Sequence, residues 1–127
     1  MMLLTTEEIV LMHDCLIAKT GGAHGLRDAN LLESAVWSVN AGYEDFEQYP
    51  SIEEKAARLA FALVENHAFI DGNKRIGLLA MLTTLKENDV ELQCTDLELV
   101  ELGLSIANGT SKYDEILRWI LSHRRGE

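Results

Sequence analysis

The chain has 127 residues, enough for one domain with a real core and too few for two. Apolar residues make up 47% and charged ones 25%, the balance of an ordinary water-soluble globular protein. A formal net charge of −10 argues against direct nucleic-acid binding, which wants a basic surface, and suits either solubility or a basic partner.

No run reaches the roughly 18 apolar residues of a membrane span. The first ten residues, MMLLTTEEIV, lack the basic flank and cleavage site of a secretory signal, so the expected location is the cytoplasm. Cys15 and Cys94 show no metal-ligand spacing; buried free thiols are expected, with a disulfide left open.

Thr5 or Thr6 followed by Glu7 and Glu8 predicts an N-cap and a helix to about Lys19. Ile9, Met12, His13 and Leu16 share one face. His13 there reads as a hydrogen-bonded packing residue rather than a second catalytic histidine. It makes no dyad with Asp14, since neighbours on a helix point about 100° apart. Gly21-Gly22-Ala23-His24-Gly25 ends the helix in a mobile or sharply turned loop, with His24 exposed. Asp28 caps the next helix, with Leu31, Leu32, Ala35 and Val36 inward and Trp37 packing at its edge.

Asn40 to Pro50 is an acidic, aromatic loop that Tyr43, Phe46 and Tyr49 should tack down by burying their rings. Ser51 with Glu54 is a capping box opening a helix to Asn66, with Ala56, Leu59, Ala60 and Leu63 on one face. Ile76 to Leu85 is apolar on nearly every side, the pattern of the most buried helix, placed at the centre of a bundle. It should end near Glu87-Asn88-Asp89, before a short strand from Val90 to Gln93. Thr95 with Glu98 caps a helix through Leu97, Val100, Leu104 and Ile106 to Asn108-Gly109. Thr110 or Ser111 starts the last helix, with Tyr113, Ile116, Leu117, Trp119, Ile120 and Leu121. Arg124-Arg125 reads as a solvated helix end and Gly126-Glu127 as an ordinary frayed terminus. The expected fold is all-α, about six helices around a central buried one, in a single domain covering residues 1–127 without internal repeats.

The chemistry is concentrated in His67-Ala68-Phe69-Ile70-Asp71-Gly72-Asn73-Lys74-Arg75, at the N-terminal mouth of the central helix. The first N–H groups of a helix have no intrahelical partner, and the peptide dipoles add partial positive charge there. A phosphate on Gly72, Asn73 and Lys74 would collect those groups, Gly72 letting the backbone approach closely. Lys74 and Arg75 add a mobile point charge and a planar fork. Asp71 suits a Mg²⁺ that bridges phosphates, and His67 can accept a proton near neutral pH. Base, metal carboxylate and phosphate nest describe group transfer from a nucleotide. The plainer reading of the same letters is a helix–loop–helix junction with Asp71 as N-cap.

The run His67-x-Phe69-x-Asp71-Gly72-Asn73-Lys74-Arg75 resembles the signature of the Fic/Doc family, in its Doc (death-on-curing) toxin branch. Glu8 to Asp14, Gly21-Gly22, Gly25-Leu26-Arg27-Asp28 and the short C-terminal helices follow a Doc-like layout too, so the resemblance covers essentially the whole chain. It implies that Gly21 to Leu26 forms a flap beside the active site, aligning the target polypeptide. Fic adenylyltransferases carry glycine where this chain has Lys74, and a second arginine where it has Leu78. Doc-like members share the lysine and place the nucleotide the other way round, which makes the γ-phosphate the group attacked.

The implied enzyme is a kinase using ATP and Mg²⁺. His67 takes the proton from a target hydroxyl, a threonine; Asp71 holds the metal; Gly72, Asn73, Lys74 and Arg75 stabilise the transferring phosphoryl group. Phe69 anchors the loop in the core. The resemblance further implies elongation factor Tu as the target, translation arrest as the outcome, and an antitoxin segment that folds into a helix along a groove near the site. An AMP transferase of the Fic type and a non-catalytic toxin–antitoxin binding module stay open beside it. Thr83-x-x-x-Glu87-Asn88 matches the letters of a Fic self-inhibitory helix. It lies on the helix that begins at the nest, ~20 Å from Arg75 at ~1.5 Å per residue, and so reads as coincidence.

Overall fold

The computed structural model describes residues 1–125; the frayed end expected at Gly126-Glu127 lies outside them. Six α-helices follow in order: α1 (Thr6–Thr20), α2 (Ala29–Trp37), α3 (Ile52–Asn66), α4 (Asn73–Glu87), α5 (Asp96–Ala107) and α6 (Tyr113–His123). Among the described residues the only sheet is a hairpin of β1 (Gly42–Tyr43) with β2 (Phe46–Glu47), after a 3₁₀ turn at Ser38–Asn40. None of the described helices is long and apolar enough to cross a membrane.

Local chemistry sets the helix starts. Thr5 with Glu8, Ser51 with Glu54 and Thr95 with Glu98 form reciprocal capping boxes at the heads of α1, α3 and α5. Each satisfies two otherwise orphaned N–H groups, and a cap of this type contributes about 1 kcal/mol. Asp28 caps α2 by accepting from the Leu31 N–H at 3.1 Å. The last helix starts later than its sequence suggests. Thr110 bonds back to Ser105 and Asn108, closing α5, and α6 begins at Tyr113 with Lys112 as N-cap.

Two cores flank the α3–α4 pair. On one side Leu59, Ala62, Leu63, Ile76 and Ala80 meet Ile9, Leu32 and Phe69; on the other Ala56, Ala60, Val64, Met81 and Leu85 meet Leu102, Ile106, Ile116 and Ile120. Small residues make the pairing close: a Cβ on Gly77 would lie 2.8 Å from Val64 Cγ2 and 3.2 Å from the Ala60 carbonyl. The more buried partner is α3, with nine buried residues of fifteen, rather than α4, with seven. The reason is coverage: α2 and α6 both pack on α3, whereas α4 keeps Leu78, Leu79 and Leu82 half-buried beside α1 and α5.

Other expectations need correction. Trp37, Tyr43 and Phe46 are exposed, and of the loop aromatics only Tyr49 goes in, edge-on against Tyr113 at 4.9 Å. Tyr43 and Phe46 pack on each other at the hairpin tip instead. The hairpin is held by the buried ammonium of Lys55, which donates to the Val39 carbonyl and to Glu47. Cys15 is exposed and Cys94 half-buried; both are free thiols. Leu92 forms an isolated antiparallel bridge with Arg124 in place of a strand over residues 90–93. The two C-terminal arginines are engaged: Arg124 pairs with the buried Glu53 at 2.6 Å and Arg125 with the exposed Glu91 at 3.1 Å.

Candidate active site

The loop between α3 and α4 carries the sequence-predicted site. Chain direction reverses at His67, which takes the left-handed conformation (φ 50°, ψ 48°) as the C-cap of α3. That conformation costs a residue with a Cβ about 1–2 kcal/mol, so the surroundings must hold it. Ala68 and Phe69 then plunge into the core, and Ile70 returns to the surface. The ring of Phe69 stacks on buried His13 with centroids 3.9 Å apart. Both Phe69 and His13 therefore have the packing roles read from the sequence.

Gly72 is the N-cap of α4, again left-handed at φ 76°, and no side chain caps the helix. Asp71 is thus not the N-cap of the plainer reading. Its Oδ1 accepts from the Gly72 N–H at 2.8 Å, and its Oδ2 from the Ala23 N–H at 3.1 Å. Those two N–H groups, Ala23 first, hold the carboxyl below the usual carboxylate range; Arg75 adds to them and burial opposes. Asp71 is therefore a carboxylate at any ordinary pH.

The rest of the motif divides its labour. Asn73 clasps the loop, its Oδ1 accepting from the Phe69 N–H at 3.0 Å and its Nδ2 donating to the Phe69 carbonyl at 2.9 Å. What Asn73 offers an anion is accordingly its main-chain N–H. Arg75 turns toward α1, donating through Nη1 to Thr20 Oγ1 and the Gly21 carbonyl, with Nη2 3.6 Å from Asp71. Lys74 turns toward α5, where its Cγ and Cδ would lie 3.3 Å from a Cβ on Gly103. The two cations leave α4 on different sides.

His67 is exposed. Its Nδ1 lies 3.2 Å from the Glu65 carbonyl. A carbonyl only accepts, so the bond places the proton of a neutral ring on Nδ1 and leaves Nε2 as the basic lone pair. Residues 67–75 thus carry an exposed imidazole whose Nδ1 is engaged, an ionised Asp71, a helix N-terminus without a side-chain cap and two cations. Thr83 and Glu87 lie toward the opposite end of α4 from Arg75.

The segment expected as a flap lies against this loop. Residues 25–28 run antiparallel to residues 68–70: the Ile70 N–H donates to the Gly25 carbonyl, and the Arg27 and Asp28 N–H groups share the Ala68 carbonyl. The Ala23 N–H and the Arg27 side chain reach the site from this segment, and Thr20 reaches it from the end of α1. No periodicity in the sequence marks these three as site partners; the hint for Ala23 is the resemblance, which sets Gly21 to Leu26 beside the active site.

A model of the Fic/DOC family matches residues 3–85, which is α1 through nearly all of α4. A protein of Mycolicibacterium smegmatis called Toxin Doc is 42% identical over 72 residues, 57% of this chain and 55% of its own length. The alignment thus spans little more than half of that relative. Protein kinase doc of Escherichia phage P1 is 30% identical over 106 residues, 84% of this chain and 82% of its own.

Proposed function

Because the chain belongs to the Fic/Doc family, we propose that it is a Doc-type toxin, a kinase that moves the γ-phosphoryl group of ATP onto a threonine of a translation factor. Elongation factor Tu is the target that the family resemblance offers, and arrest of translation the result. One observation carries the reading: the Glu65 carbonyl, 3.2 Å from Nδ1, favours the tautomer of the exposed His67 ring that keeps Nε2 as the basic nitrogen, in the loop that leads into a helix N-terminus no side chain caps.

In this scheme Nε2 of His67 takes the proton of the threonine hydroxyl, and the freed oxygen attacks the γ-phosphorus. The bond to the β–γ bridging oxygen breaks and ADP leaves. The main-chain N–H groups of Asn73 and Lys74, with the Lys74 ammonium and the N–H groups Arg75 still has to give, stabilise charge on the moving phosphoryl group, while Gly72, whose own N–H is held by Asp71, lets the backbone approach closely. Asp71 suits Mg²⁺: it is ionised, its side chain is 47% exposed, and each oxygen keeps a lone pair beyond the N–H it accepts. Among the described residues no group of three or more His, Cys, Asp or Glu could hold an ion. Such a metal would complete its shell with phosphate oxygens and water, as Mg²⁺ commonly does, and would neutralise phosphate charge when bound. Phosphoryl rather than AMP transfer is supported by Lys74, which stands where adenylyltransferases have glycine, and by the name of the phage relative.

The antitoxin is assigned to the apolar groove of about 460 Å³ between α1 and α4, lined by Leu11, Met12, Leu16 and Leu79. A short amphipathic helix fits such a groove, and its Lys19 end adjoins Thr20 and Gly21, which hold Arg75.

The test is incubation with translation factors and ATP labelled at either the α or the γ position, with His67→Ala as control. Label from γ alone supports the kinase. Label from α makes the protein an AMP transferase, and no label from either leaves a binding module. A His67→Ala variant that labels as well as the parent removes the base assignment.

A further inference from the structure

Arg27 closes the loop between α1 and α2. Among the described residues no hydrogen bond joins it to Asp71, Gly72, Asn73, Lys74 or Arg75. Its side chain instead meets the chain 39 and 40 residues further on: Nε donates to the His67 carbonyl at 2.7 Å and Nη2 to the Asn66 carbonyl at 3.3 Å. These are the final carbonyls of α3, which have no intrahelical donor, and the negative end of the helix dipole favours a cation there.

The two carbonyls belong to the two peptide groups on either side of the His67 Cα. Gripping both planes fixes φ and ψ of that residue together, and hence the direction in which its Cβ leaves the chain. The grip is needed because His67 holds a left-handed conformation that glycine would adopt freely. A guanidinium can serve two acceptors through one rigid fork, which an ammonium cannot.

We infer that Arg27 is the positioning residue for the His67 imidazole, setting the ring's aim by clamping the peptides that flank it. The consequence for rate rests on the phosphoryl-transfer reading; the consequence for the loop does not. Changing the side chain leaves the surrounding attachments in place. The main-chain N–H groups of Arg27 and Asp28 still bond to the Ala68 carbonyl, Ile70 still bonds to Gly25, and Asn66 still donates from its side chain to the Leu31 carbonyl.

Arg27→Met and Arg27→Lys test this by label-transfer kinetics, by NMR of the His67 backbone, whose shifts and HN–Hα coupling report a left-handed φ, and by thermal unfolding. Misplacing a reacting group by about 1 Å can cost on the order of a hundredfold in rate. Arg27→Met should therefore lower kcat by roughly ten- to a hundredfold with the KM for ATP little changed. The His67 signals should shift toward averaged values while those of the helices hold. Arg27→Lys should fall between, keeping one of the two carbonyl bonds. Parental kcat with unmoved His67 signals overturns the inference. So does an equal loss spread over KM, melting temperature and signals throughout the chain, which marks a generally structural arginine. If the parent transfers no label, the kinase reading fails and the NMR arm alone decides: His67 signals that move in Arg27→Met uphold the clamp, and unmoved ones reject it.

Discussion

His13 and Asp71, 58 residues apart in the chain, are joined by a 2.7 Å hydrogen bond from the imidazole Nε2 to the main-chain carbonyl of Asp71. The carbonyl can only accept, so Nε2 carries the proton, and the same ring stacks on Phe69. One buried histidine of α1 thus holds the site loop at its root and at its head. His13→Leu removes the donor and leaves a part-buried carbonyl unmatched, for which the expected loss is about 1–3 kcal/mol in urea unfolding. His13→Gln, which retains a side-chain N–H, should lose less. Equal stability of the Leu variant and the parent would show that the bond contributes nothing.

His67 carries the opposite expectation. Its ring is exposed and its backbone strained, so stability and activity should separate there. His67→Gly relieves the left-handed strain while adding freedom to the unfolded chain, a net gain of at most ~1 kcal/mol. The same variant should transfer no label. A Gly variant that is clearly less stable than the parent would mean that the ring makes contacts which the geometry does not reveal.

What was legible in the sequence was local. Thr5–Glu8, Ser51–Glu54 and Thr95–Glu98 are boxes whose partners lie three residues apart, so the starts of these three helices follow from the letters alone. His13 as a packing residue follows from its apolar neighbours at helical spacing, whereas Phe69 as an anchor came with the family resemblance. Tyr43 and Phe46 misled because burial of a ring depends on what lies across from it, and in this short hairpin each has only the other, which leaves both exposed. The pairings that shape the site were not written locally, for a related reason; only the resemblance set Gly21 to Leu26 beside it. His13 to Asp71, Ala23 to Asp71 and Arg27 to His67 are separated by 40 to 58 residues, and no periodicity encodes which loop meets which. The divergence of Lys74 and Arg75, by contrast, needed only the ~100° step between helical neighbours.

Gly22 should prove indispensable where Gly21 is not. A Cβ on Gly22 (φ +114°) would sit 2.6 Å from Asp71 Oδ2 and 3.1 Å from Arg75 Nη2, whereas one on Gly21 (φ +87°) meets nothing within 4 Å. Asp71 is short and held by two N–H groups, so it cannot move aside without giving up the Ala23 bond. Both variants carry backbone strain, and only Gly22→Ala disturbs the carboxylate. On the kinase reading, Gly22→Ala should lose about tenfold or more in transfer rate, with a higher Mg²⁺ requirement, and Gly21→Ala much less. Equal losses would trace the effect to loop strain alone.

At the other end of the molecule, His123 should make stability depend on pH. Its Nδ1 lies 2.8 Å from the Trp119 carbonyl and its Nε2 3.0 Å from Glu98 Oε2. Neither oxygen can donate, so only the doubly protonated ring satisfies both. The Trp119 carbonyl, and after it Glu98, raise the His123 pKa above its ordinary 6.5 against an opposing effect of burial. The Thr95 N–H and then His123 hold Glu98 below its ordinary 4.5. Glu101 and Glu115 line the same cleft between α5 and α6 and add negative charge around the ring. A raised pKa contributes stability that is complete below 6.5 and lost as pH climbs through the folded value. A lowered one contributes stability complete above 4.5 and lost as pH falls through the folded value. The tie between α5 and α6 is therefore fullest between those two ordinary values. The melting-temperature gap between the parent and His123→Gln should be larger at about pH 5.5 than at about pH 8.5, whereas a gap independent of pH would show that the ring acts by packing on Trp119 and not by its charge.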